Sequence, residues 1–311
     1  MTFAFVFPGQ GSQSLGMLNT IADLPEVRAT LQEASDALGE DIAKLIAEGP
    51  AEALALTTNT QPVMLTAGIA FYRAWLAAGG PLPAVMAGHS LGEYSALVAA
   101  GVIAFKDAVP LVRFRAQAMQ NAVPVGSGGM AAILGLDDAR VQDVCREASQ
   151  VSGGVVEAVN FNAPGQVVIA GSTDAVTKAC EMLKAAGAKR ALPLPVSAPF
   201  HSSLLQPASE ELKGYLEGIA FQAPSIPVIN NVDVQILQDP IAIKDALVRQ
   251  AAKPVRWQET VQLMAQQGVT RVVECGPGKV LAGLTKRIND QVQGVPVFDD
   301  ASLKEVLASL K

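Results

Sequence analysis

Few residues in this chain can do chemistry together, and one stretch concentrates them. Ser90 stands in Gly88-His89-Ser90-Leu91-Gly92, a G-x-S-x-G pattern that follows the apolar run 84–87 and precedes a helix-forming run. Strand, sharp turn and helix is the setting in which this pattern presents a serine as a nucleophile. Glycine on either side lets the backbone turn tightly and leaves room beside the hydroxyl. The first N–H groups of the following helix, from Leu91 on, lack helical partners and face the same place. One turn therefore offers a nucleophile and part of an oxyanion site. By itself the pentapeptide fits an ordinary strand–helix connection equally well.

A serine hydroxyl is a poor nucleophile near neutral pH and needs a base within hydrogen-bond reach. The chain has two histidines. His89 adjoins Ser90 on the turn, where neighbouring side chains point different ways, so it is expected to pack or hydrogen-bond structurally. His201 remains, 111 positions after Ser90 in a loop, and a base from a distant loop is normal because such groups are recognised by geometry rather than spacing. A third feature is Arg115. On a helix over residues 107–122, Ala108, Leu111, Val112, Ala118, Met119 and Ala122 share one face and Arg115 falls at its centre. Arg113 lies nearly opposite, where solvent is expected. An arginine in an apolar stripe has to be paired, either with an internal carboxylate or with an anion that the site exists to bind.

The elements that must position these groups read as α/β. Half of the 311 residues are hydrophobic but only 5% are aromatic, which suits helices packed on a parallel sheet of Val, Ile, Leu and Ala. Residues 3–7 form a first strand ending at Pro8-Gly9-Gln10-Gly11-Ser12-Gln13, a glycine-rich turn whose amides can face a ligand; it is not G-x-G-x-x-G, so a dinucleotide site is weakly supported. Helices are expected over 26–38, 42–48 and 63–78, the last with Pro62 at its start, where a missing N–H costs nothing. From Gly126 the pattern changes to strand 130–134, helix 137–150, strands 155–161 and 166–170, helix 172–186 and strand 189–194. That βαββαβ order predicts a ferredoxin-like unit over 126–197, inserted between residues 1–125 and 198–311 of a larger domain. Beyond it come strand 228–229, helices 241–251 and 255–267, strand 271–274, a helix through Arg287 and a short strand at 295–298.

Composition excludes several classes. The net charge is −6 without a basic block, which argues against nucleic acid. Cys145, Cys180 and Cys275 show no C-x-x-C spacing and have only two histidines to join, so no metal site is expected and three reduced thiols are. The segment MTFAFVFPGQ has no basic n-region and reads as a strand, and no apolar run reaches membrane-spanning length. A cytoplasmic monomer away from membranes is expected.

The motifs taken together resemble the acyltransferases of fatty acid and polyketide synthesis, the malonyl-CoA:acyl carrier protein transacylases among them. The resemblance runs nearly end to end, through Phe7-Pro8-Gly9-Gln10-Gly11-Ser12-Gln13, Thr60-Gln61-Pro62, Gly88-His89-Ser90-Leu91-Gly92-Glu93 and Arg115. It continues through Asn160-Phe161-Asn162-Ala163-Pro164-Gly165-Gln166, Pro199-Phe200-His201-Ser202 and Glu274-Cys275-Gly276-Pro277-Gly278. It implies an α/β hydrolase-like core, and malonyl transfer from malonyl-CoA to the phosphopantetheine thiol of acyl carrier protein through a malonyl-serine, with no cofactor. It implies Ser90 as nucleophile and His201 as base, oriented by the main-chain carbonyl of Gln250. The oxyanion donors would be the N–H groups of Gln10 and Leu91, and Arg115 would clamp the malonyl carboxylate. Phe200 would accompany malonyl selectivity, and Gln61, Asn160 and Asn162 would lie on the substrate side. Lys189, Arg190, Lys286 and Arg287 are candidates for docking an acidic carrier. The alternatives are a discrete acyltransferase serving a polyketide synthase, a thioesterase or esterase that uses water, and a non-catalytic carrier-binding module.

Overall fold

A computed structural model describes residues 2–196 and 198–310. Among them nine strands form two sheets: β1 (Phe3–Phe7), β2 (Val85–Gly88), β3 (Gly128–Leu134), β4 (Val156–Ala163), β5 (Gln166–Ser172), β6 (Arg190–Pro193), β7 (Val228–Ile229), β8 (Arg271–Cys275) and β9 (Gln293–Val297).

The first sheet has the order β7-β2-β1-β8-β9 and is parallel throughout. Its central strands are buried along their whole length, because helices cover both faces. The alternation of side chains across β1 splits the core in two. Phe3, Phe5 and Phe7 enter one layer with Tyr72, Trp75, Met86 and Val273. Ala4 and Val6 enter the other with Val85, Ala87, Val272 and Trp257. The Phe5 and Trp75 rings meet edge to face at 5.1 Å, the arrangement that opposed ring quadrupoles favour.

The second sheet, β4-β5-β3-β6, is antiparallel, and helices Asp138–Ser152 and Thr173–Ala185 lie between its strands in sequence. Ala131, Ile133, Val167 and Ile169 face those helices. Met130, Val168 and Ala170 face the other way, onto Met119, Phe200 and Leu205. Main-chain bonds between Val159, Phe161 and Val255 tie β4 to the rest of the chain. The cleft that holds the site opens between this outward face and the C-terminal ends of β1 and β2.

The helix expected from residue 63 spans Thr57–Ala77, so Pro62 sits in its second turn and leaves the Thr58 carbonyl without a helical donor. The early start is held by side chains: Thr60 Oγ1 donates to the carbonyls of Leu54 and Leu56, and Asn59 Nδ2 donates to that of Ala53. The Arg115 helix spans Phe105–Asn121, two residues earlier than expected at its start. Helices Gln206–Glu217 and Asp300–Leu310 were not foreseen. Among the described residues no helix is long and apolar enough to cross a membrane.

Candidate active site

The turn after β2 is shaped by close packing. A Cβ on Gly88 would lie 1.8 Å from the Gly92 carbonyl carbon, and one on Gly92 would lie 2.0 Å from the Phe7 carbonyl oxygen. Only glycine lets this turn press against both the following helix and the end of β1. Ser90 between them has φ 52°, a left-handed conformation that a non-glycine residue holds only when its surroundings enforce it. Asn231, just past β7, enforces it. Its Oδ1 accepts from Ser90 N at 2.8 Å, and its Nδ2 donates to the Gly88 carbonyl at 2.7 Å.

Ser90 Oγ lies 2.7 Å from His201 Nε2, and His201 Nδ1 lies 2.8 Å from the Gln250 carbonyl oxygen. A carbonyl can only accept, so Nδ1 carries the proton and Nε2 turns its lone pair to the serine hydroxyl. Burial, reinforced by the Arg115 charge, pushes His201 down to about 3, so the imidazole is neutral at pH 7. His201 is also left-handed, at φ 64°.

Arg115 is 1% exposed. Its Nη1 donates to Gln61 Oε1 at 2.8 Å, and its Nη2 donates to Gln250 Oε1 at 2.8 Å and to Ser90 Oγ at 3.2 Å. Its guanidinium carbon sits 5.2 Å from the centre of the Tyr94 ring. Among the described residues no carboxylate comes within ion-pair distance of it, and its Nε has no partner. Of the two pairings the sequence left open, the internal ion pair is absent. A buried cation is held here by neutral amides beside a nucleophile.

Two residues behind this group were not singled out by sequence. Glu93 is 2% exposed, and its Oε2 accepts from Asn231 N at 3.0 Å and from Gln250 Nε2 at 2.8 Å. Burial raises its pKa to about 7. Gln250 Nε2 also donates to the Ser90 carbonyl at 3.0 Å, so the side chain as well as the carbonyl of this residue serves the site. A charged residue inside the apolar helix Gly92–Ala99 was a readable signal for Glu93. Asn231 had only its place, at the carboxyl end of a parallel strand where ligands of such sheets bind.

The remaining expected residues come to the same cavity, of about 420 Å³. Gln10 and Leu91 line it, and among the described residues neither main-chain N–H has an intramolecular acceptor. Phe200 lines it from the loop before His201. Asn160 lines it with a buried Nδ2 that has no partner. Asn162 is engaged with His89, its Oδ1 lying 2.8 Å from His89 Nε2. Gln61 faces Arg115 as described. The walls come from both parts of the chain, with Met130 and Val168 from the second sheet and Val280, Leu281 and Leu284 from the helix after β8. Of the basic residues, Arg287 hydrogen-bonds Gln166, itself a lining residue. The arrangement can deprotonate a serine, stabilise an oxyanion with two N–H groups and hold a carboxylate on the acyl group it receives.

Comparison with known proteins agrees with this chemistry. Residues 4–304 match the family described as "Acyl transferase domain". The malonyl CoA-acyl carrier protein transacylase of Salmonella typhimurium is 56% identical over 98% of both chains. The acyl-carrier-protein S-malonyltransferase of Burkholderia pseudomallei has a crystal structure 71% identical in sequence, with a TM-score of 0.97 over 99% of this chain and all of that one. A malonyl-transacylase solved in complex with a type II PKS acyl-carrier protein is 54% identical, with a TM-score of 0.97 over 99% of this chain and all of that one. The chain belongs to the acyl transferase family, in the branch of the malonyl CoA-acyl carrier protein transacylases.

Proposed function

We propose that this enzyme moves the malonyl group from malonyl-CoA to the phosphopantetheine thiol of acyl carrier protein, in fatty acid biosynthesis, by a ping-pong route through malonyl-Ser90. The observation that carries the reading is Arg115, a buried guanidinium with no acid partner among the described residues and with Nη2 3.2 Å from Ser90 Oγ. The carboxylate of a malonyl ester lies three bonds beyond Oγ, within reach of that fork. A planar guanidinium is always charged and matches a carboxylate with two parallel hydrogen bonds.

In this mechanism His201 Nε2 takes the Ser90 proton as Oγ attacks the thioester carbonyl carbon. The N–H groups of Gln10 and Leu91 hold the resulting oxyanion, where preorganised donors contribute most. The C–S bond then breaks, the leaving sulfur takes the proton from His201, and free CoA departs. The carrier's thiol passes its proton to the same nitrogen, its sulfur attacks the malonyl ester, and Ser90 recovers its hydrogen as the C–O bond breaks. Gln250 orients His201 through its carbonyl. Phe200 narrows the cavity where a 2-methyl branch would sit, and Asn160, with its unpartnered Nδ2, is positioned to donate to the thioester arm. The chain's own residues supply every proton transfer, so no cofactor is invoked.

We read residues 1–125 and 198–311 as an α/β hydrolase-like core and 126–197 as an inserted ferredoxin-like subdomain. The parallel sheet with its serine turn supports the first, and the antiparallel order β4-β5-β3-β6 with two helices on one face supports the second. Three buried, unpaired cysteines fit a reducing, cytoplasmic setting. Arg287, beside the cavity, is the docking candidate with the best placement. A polyketide carrier is the second acceptor to consider, because the chain is so similar to a transacylase solved with one.

Intact mass after exposure to malonyl-CoA tests the route. A malonyl adduct is expected on the native protein and none on Ser90→Ala; an adduct that persists on the variant refutes it. Equal release of free malonate with and without carrier protein would make the enzyme a hydrolase.

A further inference from the structure

Arg115 is a buried cation that no carboxylate among the described residues touches, and one buried carboxylate stands a single side chain away. Gln250 is the spacer. Its Oε1 accepts from Arg115 at 2.8 Å while its Nε2 donates to Glu93 Oε2 at 2.8 Å. Among the described residues Glu93 meets no cation directly; its hydrogen-bond partners are the Gln250 amide and the Asn231 N–H. The buried layer thus holds one positive and one negative charge separated by an amide. A malonyl carboxylate adds a second negative charge to the same low-dielectric layer. Two anions cannot both stay ionised cheaply around one cation, and the one without a direct cation contact is the one to take a proton.

We infer that Glu93 is a specificity-determining residue of the malonyl reaction, a carboxylate that takes up a proton when a malonyl group, but not an acetyl group, settles on Arg115. This rests on Arg115 as the clamp. Glu93 also positions the site, because the two groups it accepts from, Asn231 and Gln250, hold Ser90, His201 and Arg115.

Among the described residues the titratable neighbours of Glu93 are all shifted away from neutrality. Tyr94, on its own helix, is raised to about 12. His201 is lowered to about 3, and burial lowers His89 as well, so both imidazoles are neutral. Asp233, beyond Asn231, is neutralised by Arg249 through hydrogen bonds of 2.8 and 2.7 Å. Burial lowers the Arg115 pKa, yet a guanidinium keeps its charge in proteins. Glu93 itself sits at about 7 in the free enzyme. A malonyl carboxylate raises it further, so malonyl loading is favoured where Glu93 is already neutral. The preference for malonyl over acetyl is therefore full at and below pH 6 and falls above pH 7, by up to about tenfold per pH unit.

The test is single-turnover acylation of Ser90 by malonyl-CoA and by acetyl-CoA from pH 6 to 8.5, in the native enzyme and in Glu93→Gln. Glutamine keeps an acceptor for Asn231 and Gln250 but carries no charge. The malonyl-to-acetyl ratio is expected to fall with pH in the native enzyme and to stay flat in Glu93→Gln, near the native low-pH value. A ratio that is flat in the native enzyme, or equally steep in the variant, overturns the inference. A measurement that needs no variant is proton uptake by the native enzyme in weakly buffered solution at pH 7.5. Malonyl loading should take up about half a proton or more beyond acetyl loading, since both release the same thiol; no difference overturns the inference. Equal loading of both acyl groups at every pH would remove the clamp itself, whereas a strong preference that ignores pH removes only the role of Glu93.

Discussion

Replacing Arg115 by alanine separates a clamp from a structural arginine. A guanidinium has five N–H donors, and three contacts are in use here, to Gln61, Gln250 and the Ser90 hydroxyl. Acylation of Ser90 replaces the hydroxyl contact, so a malonyl carboxylate finds free donors on a cation that is 1% exposed. Removing one partner of a desolvated charge pair costs about 2–5 kcal/mol, and the depth of this site places the effect in the upper part, about 3–5 kcal/mol. That is a loss of about 150- to 5,000-fold in kcat/KM for malonyl-CoA. Acetyl-CoA offers no carboxylate. Its kcat/KM should change less than about tenfold, through the two glutamine carbonyls left unpaired. The assay is transfer to carrier protein with each thioester, alongside thermal unfolding to confirm that the variant is folded. Equal loss with both substrates would refute the reasoning, because Arg115 would then serve the serine and histidine rather than the acyl carboxylate.

Asn231→Ala leaves the Ser90 N–H and the Gly88 carbonyl buried without partners, at about 1–3 kcal/mol each. A lower denaturant midpoint and slower acylation are expected; an unchanged midpoint would mean that the serine turn holds itself. Glu274 lies at the end of β8, accepts from Ala282 N at 2.8 Å and has a second carboxylate oxygen that is buried without a partner. Burial raises its pKa to about 7 from an ordinary 4.5. The folded state therefore holds its proton more tightly than the unfolded one, so this contribution is full below pH 4.5 and lost as pH rises through 7, by about 3 kcal/mol. Glu274→Gln should gain stability relative to the native protein between pH 5 and pH 8, and a pH-independent difference in melting temperature would refute this.

Much of the molecule is legible in its residues because local rules decide it. Apolar strands, glycine stops and the βαββαβ order are properties of short segments, and so is the spacing of the serine turn, although Gly92 is required by the Phe7 carbonyl of β1 as well as by the turn itself. Boundaries shifted where side chains bonded the main chain, as at Thr57–Ala77, whose start is set by Thr60 and Asn59 against the carbonyls of Ala53, Leu54 and Leu56 just before it. Periodicity marked Arg115 as buried but left its partner open, since the helical wheel cannot say whether an acid or an amide arrives from another element. Glu93 was visible as a charge in an apolar helix, yet its work depends on Asn231 and Gln250, 138 and 157 positions away. Asn231 had no sequence signal of its own, because an asparagine after a short strand acquires meaning only when the sheet brings it 2.8 Å from Ser90 N. The residues determined which groups were available and which segments would carry them. Their convergence on one cleft, with a neutral histidine, an acid-free arginine and a half-titrated glutamate, was decided by burial and distance, which exist only once the chain is folded.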